Sequence, residues 1–123
     1  MISQNQSRAF WWCATITGVS ALVSAGFSLA AVFAHNPWET TALYAASRSV
    51  AVPFAILAAI NLRSTPALAA LAFVMGLIQL FDGFVGIYAH DASKTYGPFV
   101  LALLTFITLA RLLKTQRAAG EPN

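Results

Sequence analysis

The stretch FWWCATITGVSALVSAGFSLAAVFA, residues 10–34, decides the fold because it runs for 25 residues without a charged side chain. A helix needs about twenty apolar residues to cross the hydrocarbon core of a bilayer, so this stretch can span it with some tilt. Three further apolar stretches follow, at about residues 37–62, 66–88 and 98–113. The sequence therefore predicts an all-α integral membrane four-helix bundle, with residues 1–123 forming one four-span transmembrane domain.

The composition supports a membrane protein and excludes several other classes. Of the 123 residues, 59% are hydrophobic and 9% are charged, and the mean hydropathy is +0.71. A soluble domain carries about a quarter charged residues. A single cysteine excludes a disulfide scaffold. The net charge of +3 comes mainly from lysines and arginines that flank the predicted spans. We therefore predict the lipid bilayer, and not a nucleic acid, as the partner.

Prolines mark the expected helix starts. Proline suits the first helical turn because its missing N–H has no partner there in any case. The pairs Asn36-Pro37, Thr65-Pro66 and Gly97-Pro98 therefore predict the starts of the second, third and fourth helices. Pro53 lies within the second span, where it predicts a kink.

The distribution of lysine and arginine predicts the orientation. The two tails and the loop between the second and third spans share one side of the membrane, and the opposite side carries Lys94 alone. Because positive residues favour the cytoplasmic side, we expect both termini in the cytoplasm, most simply of a bacterial inner membrane. The five cations on the predicted cytoplasmic side are Arg8, Arg63, Arg111, Lys114 and Arg117.

Two helices carry stripes of small residues that predict close helix contacts. Spacings of three and four residues place each set on one helical face, and small side chains let helices approach closely in lipid. The same faces could instead form a homo-oligomer interface, which the sequence does not distinguish. The stripes are Ala14, Gly18, Ala21, Ala25 and Ser28 in the first span, and Gly76, Gln79, Gly83 and Gly86 in the third.

Two charged residues within the spans, Arg48 and Asp82, are the most informative positions. A lone charge at mid-bilayer costs roughly 2.5–3.5 kcal/mol on insertion scales, so each should find a partner on a neighbouring helix. Arg48 lies about 16 Å along the second helix from Pro37, and Asp82 about 12 Å before His90. Both distances are measured from the non-cytoplasmic side, which predicts an intramembrane Arg48–Asp82 ion pair in the outer half of the bundle.

This pair suggests three functions. In the first, the protein is a homo-oligomer that binds or transports a small amphipathic, lipophilic or anionic ligand at an outward-facing polar site. In the second, it is a membrane enzyme that isomerises or ring-opens a lipophilic substrate, with Asp82 as acid or base and Arg48 as electrophilic stabiliser. In the third, it is a structural subunit of a larger complex, and the pair only fixes helix registry. The predicted ligand-binding residues are Arg48, Asp82, Gln79, Tyr44, Glu39 and His90.

Neither a metal site nor a cofactor is predicted. His35, Glu39, His90 and Asp91 lie near the outer surface, but their spacing matches no diagnostic metal motif. We read them as interfacial side chains.

One family resemblance covers nearly the whole chain. Ala46-Ser47-Arg48 in an apolar helix, Leu62-Arg63 at its end, Asp82 late in the third helix, and then His90 and Gly97 follow in order. This pattern resembles small four-helix bacterial membrane proteins of the DoxX-like kind, most of which have no assigned activity. The resemblance implies the fold and topology, and it suggests that Arg48 and Asp82 are the polar signature of the family.

Overall fold

A computed structural model of the chain describes residues 4–34 and 40–120. They form four α-helices, each long and apolar enough to cross a membrane. This confirms the predicted all-α four-helix architecture. The helices are α1 (Gln4–Phe33), α2 (Thr40–Asn61), α3 (Thr65–Tyr88) and α4 (Ala92–Gly120).

The packing of the helices does not follow their order in the chain. The most extensive interface joins α3 to α4, and α1 contacts all three other helices. Helix α2 packs mainly on α1, and its contact with α3 is the smallest of the helix interfaces among the described residues. The bundle is therefore built around α1, α3 and α4, with α2 resting on α1.

The core is narrow, and most large apolar side chains face outward. Cys13, Leu68, Met75 and Leu112 are almost fully buried at the centre. Phenylalanines and leucines on the outer faces of all four helices are exposed in the isolated chain. An apolar exterior of this kind suits a hydrocarbon surrounding, because lipid tails are as apolar as leucine.

The helix starts are predicted correctly at α3 and wrongly at α4. Pro66 lies in the first turn of α3, and the Ser64 hydroxyl caps this helix by accepting a hydrogen bond from the Ala67 N–H (3.3 Å). Helix α4 begins at Ala92, six residues before the expected start at Pro98. The carboxylate of Asp91 caps it instead.

The remaining prolines have different outcomes. Pro98 lies inside α4, where it cannot donate to the carbonyl of Lys94 one turn earlier. Pro53 lies inside α2, as expected. The predicted start at Asn36-Pro37 falls outside the described residues and stays a prediction.

The short connections after α2 and α3 share one backbone design. Asn61 and Tyr88 end the helices, and two residues later the chain adopts a left-handed conformation, with φ of 49° at Arg63 and 56° at His90. The next N–H then bonds back into the last helical turn, from Ser64 to the Ala59 carbonyl and from Asp91 to the Gly86 carbonyl. These are Schellman turns, in which glycine is the usual residue at the left-handed position.

Glycines on α3 set the closeness of α3 and α4, as their spacing predicts. A Cβ added at Gly76 would lie 2.6 Å from the ring of Phe106, and one at Gly83 would lie 2.5 Å from the ring of Phe99. At Gly86 an added Cβ would collide with the backbone of Lys94. The nearest atom would be the Lys94 carbonyl oxygen, which is also the acceptor that Pro98 leaves without its helical donor. Helix α3 therefore approaches α4 most closely beside the proline.

The α1 stripe is only partly a contact face. Ala14, Ala21 and Ala25 are buried, and Ser28 is half-buried against α2. A Cβ at Gly18 would meet no atom of the described residues within 4 Å. The small residues of α1 therefore form contacts at most of the predicted positions but not at Gly18.

Candidate functional site

A cavity of about 310 Å³ lies among the four helices, toward the end of the bundle that carries the α3–α4 turn. All four helices contribute to its walls, which are mostly small or apolar. The polar lining residues are Ser24, Ser28, Gln79, Asp82 and Lys94, and the apolar ones include Val23, Phe27, Ala42, Ala45 and Val85. A concave, mainly apolar space with a few polar groups is the usual form of a small-molecule site.

Asp82 supplies the carboxylate of this cavity. It lies six residues before the end of α3, about 9 Å along the helix axis from Tyr88. Its side chain is exposed in the isolated chain, and it forms no salt bridge within the described residues. Asp82 is therefore free to bind a hydrogen-bond donor that enters the cavity.

Arg48 does not join Asp82. Its side chain is exposed, it is not one of the described residues that line the cavity, and no salt bridge links it to Asp82. The cause is the position of α2, which packs on α1 and is held there by a hydrogen bond from Ser28 Oγ to Ser49 Oγ (2.9 Å). The expected pair assumed that α2 and α3 are close neighbours.

Gln79 is part of a buried polar layer that joins three helices. Its side chain is 1% exposed, and Nε2 donates a hydrogen bond to the Ser20 carbonyl on α1 (2.9 Å). The Ser20 hydroxyl in turn lies 3.1 Å from the Thr105 hydroxyl on α4. Gln79 thus borders the cavity while its amide is engaged with α1, which makes it a helix cross-link as well as a wall residue.

Lys94 is the cavity residue that sequence analysis missed as a site residue. Its Nζ lies 4.0 Å from Asp91 Oδ2 at the first turn of α4. The Ser93 hydroxyl donates to Asp91 Oδ1 (2.9 Å), and this bond, with the backbone N–H of Lys94 and the nearby ammonium, holds the pKa of Asp91 below its usual value. The sequence signal for this helix start is the run Asp-Ala-Ser-Lys at residues 91–94, in which an N-cap carboxylate directly precedes the first helical residue.

Two of the other predicted ligand residues, Tyr44 and His90, are not brought to the cavity. Tyr44 is exposed on α2, and His90 occupies the left-handed position of the α3–α4 turn; neither lines the cavity within the described part of the chain. Glu39 lies outside the described residues. Over residues 4–34 and 40–120, histidine, cysteine and carboxylate side chains form no group of three that could hold a metal ion.

Comparison with known proteins gives no match: no protein-family model fits the chain, and no curated protein or solved structure is similar to it. The DoxX-like resemblance thus rests on the residues quoted for it and stays a prediction.

Proposed function

We propose that this protein binds a small amphipathic ligand in the cavity that contains Asp82, and that it carries or senses this ligand within the membrane. The observation behind the proposal is one carboxylate without a salt bridge in the described structure, set in a cavity whose other walls are mainly small and apolar. A ligand with an apolar body and one hydrogen-bond donor, most simply an amine, would satisfy both features.

The position of Arg48 favours an amphipathic ligand over an anionic one. An anionic ligand was expected because an arginine fork binds carboxylate or phosphate, but Arg48 is not among the described lining residues. Lys94 is the lining cation, and its ammonium already lies near Asp91. The enzymatic alternative also loses support, since it requires Arg48 beside the substrate.

We further propose that the four helices cross a bacterial inner membrane with both termini in the cytoplasm, and that the protein is a homo-oligomer. The excess of arginine and lysine near the two tails and the α2–α3 loop supports the orientation. Fusion of a reporter active only in the cytoplasm to the C-terminus should give full activity, and an inactive fusion would reverse the proposed topology.

The ligand site is tested with a fluorescent dansyl alkylamine added to the protein in lipid nanodiscs, with empty nanodiscs subtracted. The wild-type protein should bind the probe saturably. Asp82→Asn should weaken binding about tenfold to hundredfold, because a hydrogen bond to a charged group contributes about 1.5–3 kcal/mol.

Two matched variants make this experiment specific. Glu121→Gln makes the matching change on a carboxylate that follows α4 in the sequence, and Arg48→Gln removes the other charge within a span. Both should bind the probe as the wild type does. Equal affinity of the wild type and a folded Asp82→Asn protein would refute the proposed site, and selective loss in Arg48→Gln would restore the site predicted from sequence.

A further inference from the structure

A second cleft lies at the opposite end of the bundle, between the start of α1 and the end of α4. Its volume is about 550 Å³. Helix α1 contributes Arg8 and Trp12, and helix α4 contributes Thr108, Arg111 and Lys114. We call these five residues, with the space between them, the basic cleft. It shares no residue with the cavity that contains Asp82.

Helical spacing explains why these side chains converge. Arg8 and Trp12 are four residues apart on α1, and Arg111 and Lys114 are three residues apart on α4, so each pair shares a helical face. The two helices are packed together at this end, where Gln6 Nε2 contacts the Thr115 carbonyl at 3.5 Å. The three cations therefore border one space from two sides.

The charge of the cleft is not balanced within the described structure. Across residues 4–34 and 40–120 the salt bridges consist of Lys94 with Asp91, at the other end of the bundle. At the same end of the bundle, Arg117 lies in the last turn of α4 and Arg63 lines a neighbouring pocket with Thr115, so further positive charge lies near the cleft. Cations that share a concave space repel one another, so an anion bound between them would relieve this repulsion.

The setting of the cleft identifies the class of anion. Thr108 precedes Arg111 and Lys114 on α4, by about one and two turns, and so lies nearer the middle of the helix. The cleft therefore extends from the level of the cations toward the apolar part of α4. Trp12 is 60% exposed at its edge, and tryptophan is typical of the headgroup level of a bilayer. Arginine binds phosphate oxygens through two parallel N–H donors. Basic pockets between membrane helices are known to receive lipid headgroups.

We infer that the basic cleft binds the phosphodiester headgroup of an anionic phospholipid. Arg8 and Arg111 hold the phosphate from the two helices, Lys114 adds charge at the mouth, and Trp12 packs beside the glycerol region. This site is independent of the proposed ligand cavity, because it depends on different residues at the other end of the bundle.

The test measures quenching of Trp12 by lipids with brominated acyl chains. A protein with Trp11→Phe and Trp38→Phe retains Trp12 as its one tryptophan. It is placed in bilayers that contain brominated phosphatidylglycerol or, at the same mole fraction, brominated phosphatidylcholine with identical chains. Quenching should show a preference of about fivefold or more for phosphatidylglycerol, since each nearby cation contributes about a fivefold factor in attraction.

Matched variants separate a site from diffuse surface attraction. Arg111→Gln should remove about fivefold of the preference, and Arg111→Lys should retain only part of it, because lysine keeps the charge but lacks the two parallel N–H donors. Arg117→Gln removes the same charge from the same helix but outside the lining of the cleft, and it should change the preference less than twofold. Equal losses in Arg111→Gln and Arg117→Gln, or no preference in the parent protein, would overturn the proposal.

A second cleft variant and a competition with free phosphate complete the test. Lys114→Gln is an independent cleft variant that takes the place of Arg111→Gln if circular dichroism shows that the latter does not fold. Sodium phosphate, compared with sodium chloride at matched ionic strength, should not displace the lipid. If free phosphate abolishes the preference, the cleft binds the inorganic ion, and the assignment to a lipid headgroup fails.

Discussion

Gln79 Nε2 on α3 donates a hydrogen bond of 2.9 Å to the backbone carbonyl of Ser20 on α1, at a point where the glutamine is 1% exposed. This bond fixes α3 against α1 at the wall of the cavity, which Gln79 helps to line. Because α1 also contacts α2 and α4, the bond helps to position the walls that surround Asp82.

Gln79→Met is expected to destabilise the protein by about 1 kcal/mol, in line with measured interhelical hydrogen bonds in membranes. The free energy of unfolding in mixed micelles, titrated with a denaturing detergent, measures this change. The matched control is Ser20→Ala in the same background. It removes a hydroxyl but leaves the carbonyl that Gln79 uses, so Gln79→Met should still destabilise the Ser20→Ala protein, and no further loss there would contradict the bond to the carbonyl.

The hydroxyl pair of Ser20 and Thr105 should behave differently in the same assay. Their oxygens are 3.1 Å apart in a buried contact between α1 and α4. Ser20→Ala and Thr105→Val should therefore be non-additive, with a coupling of about 0.6 kcal/mol. Strict additivity would show that the hydroxyls do not bond to each other in the membrane-embedded protein.

Gly86→Ala should be one of the most damaging single-methyl additions to the chain. The new methyl group would collide with the backbone of Lys94 and would lie 2.7 Å from the Thr95 nitrogen. Backbone atoms cannot rotate away, so α3 and α4 would have to separate at a cost of about 2–3 kcal/mol.

Gly26→Ala provides the matched control for Gly86→Ala. An added Cβ at Gly26 meets no described atom within 4 Å. The substitution should be neutral or stabilise the helix by up to about 1 kcal/mol. Equal unfolding free energies of the two alanine variants would contradict the proposed α3–α4 contact.

His90→Gly should stabilise the protein by about 1 kcal/mol, because His90 holds a left-handed conformation, with φ of 56°, that glycine adopts without steric cost. Ala89→Gly, one residue earlier at φ of −78°, should instead be neutral or destabilising. The same His90→Gly protein should bind the dansyl alkylamine normally. A loss of binding would return His90 to the ligand site where the sequence placed it.

The cap of α4 predicts a dependence of stability on pH. Hydrogen bonds from the Ser93 hydroxyl and from backbone N–H groups keep the pKa of Asp91 below its ordinary value of 3.8. A group with a lowered folded-state pKa stabilises the fold above its unfolded-state pKa, and the stabilisation is lost as the pH falls through the folded value. Thermal unfolding temperature should therefore decrease below about pH 4 in the wild type.

Asp91→Asn isolates this contribution, since asparagine can still cap the helix but does not titrate. The decrease in unfolding temperature between pH 5 and more acidic solution should be smaller in this variant than in the wild type. An identical decrease in both proteins would assign the acid sensitivity to other groups.

The sequence predicts the helices well but the site only in part, because hydropathy locates spans and does not show which helices are neighbours. Uncharged stretches such as residues 10–34 define spans without any tertiary information. The start of α4 was misplaced because Pro98 is tolerated inside a helix and Asp91 is the stronger cap. The Arg48–Asp82 pair required knowledge of which helices are neighbours, and hydropathy contains no such information.

Gln79 and Lys94 show the same limit at the level of single side chains. Gln79 was placed correctly on a small-residue face, but its hydrogen bond to a backbone carbonyl on α1 depends on the crossing of two helices. Lys94 was treated as a loop residue because the helix was expected to begin after it. Because α4 starts at Ala92, Lys94 lies in its first turn and lines the cavity.

The most direct test of the central claim fills the cavity and leaves its charges unchanged. Ala45 lines the cavity from α2, whereas Ala51, which lies on the same helix and is exposed like Ala45, is not among the described lining residues. Affinity for the dansyl alkylamine is measured for Ala45→Phe and Ala51→Phe in nanodiscs. We expect binding to be lost in Ala45→Phe and unchanged in Ala51→Phe. Unchanged binding in a folded Ala45→Phe protein would show that the ligand does not occupy this cavity.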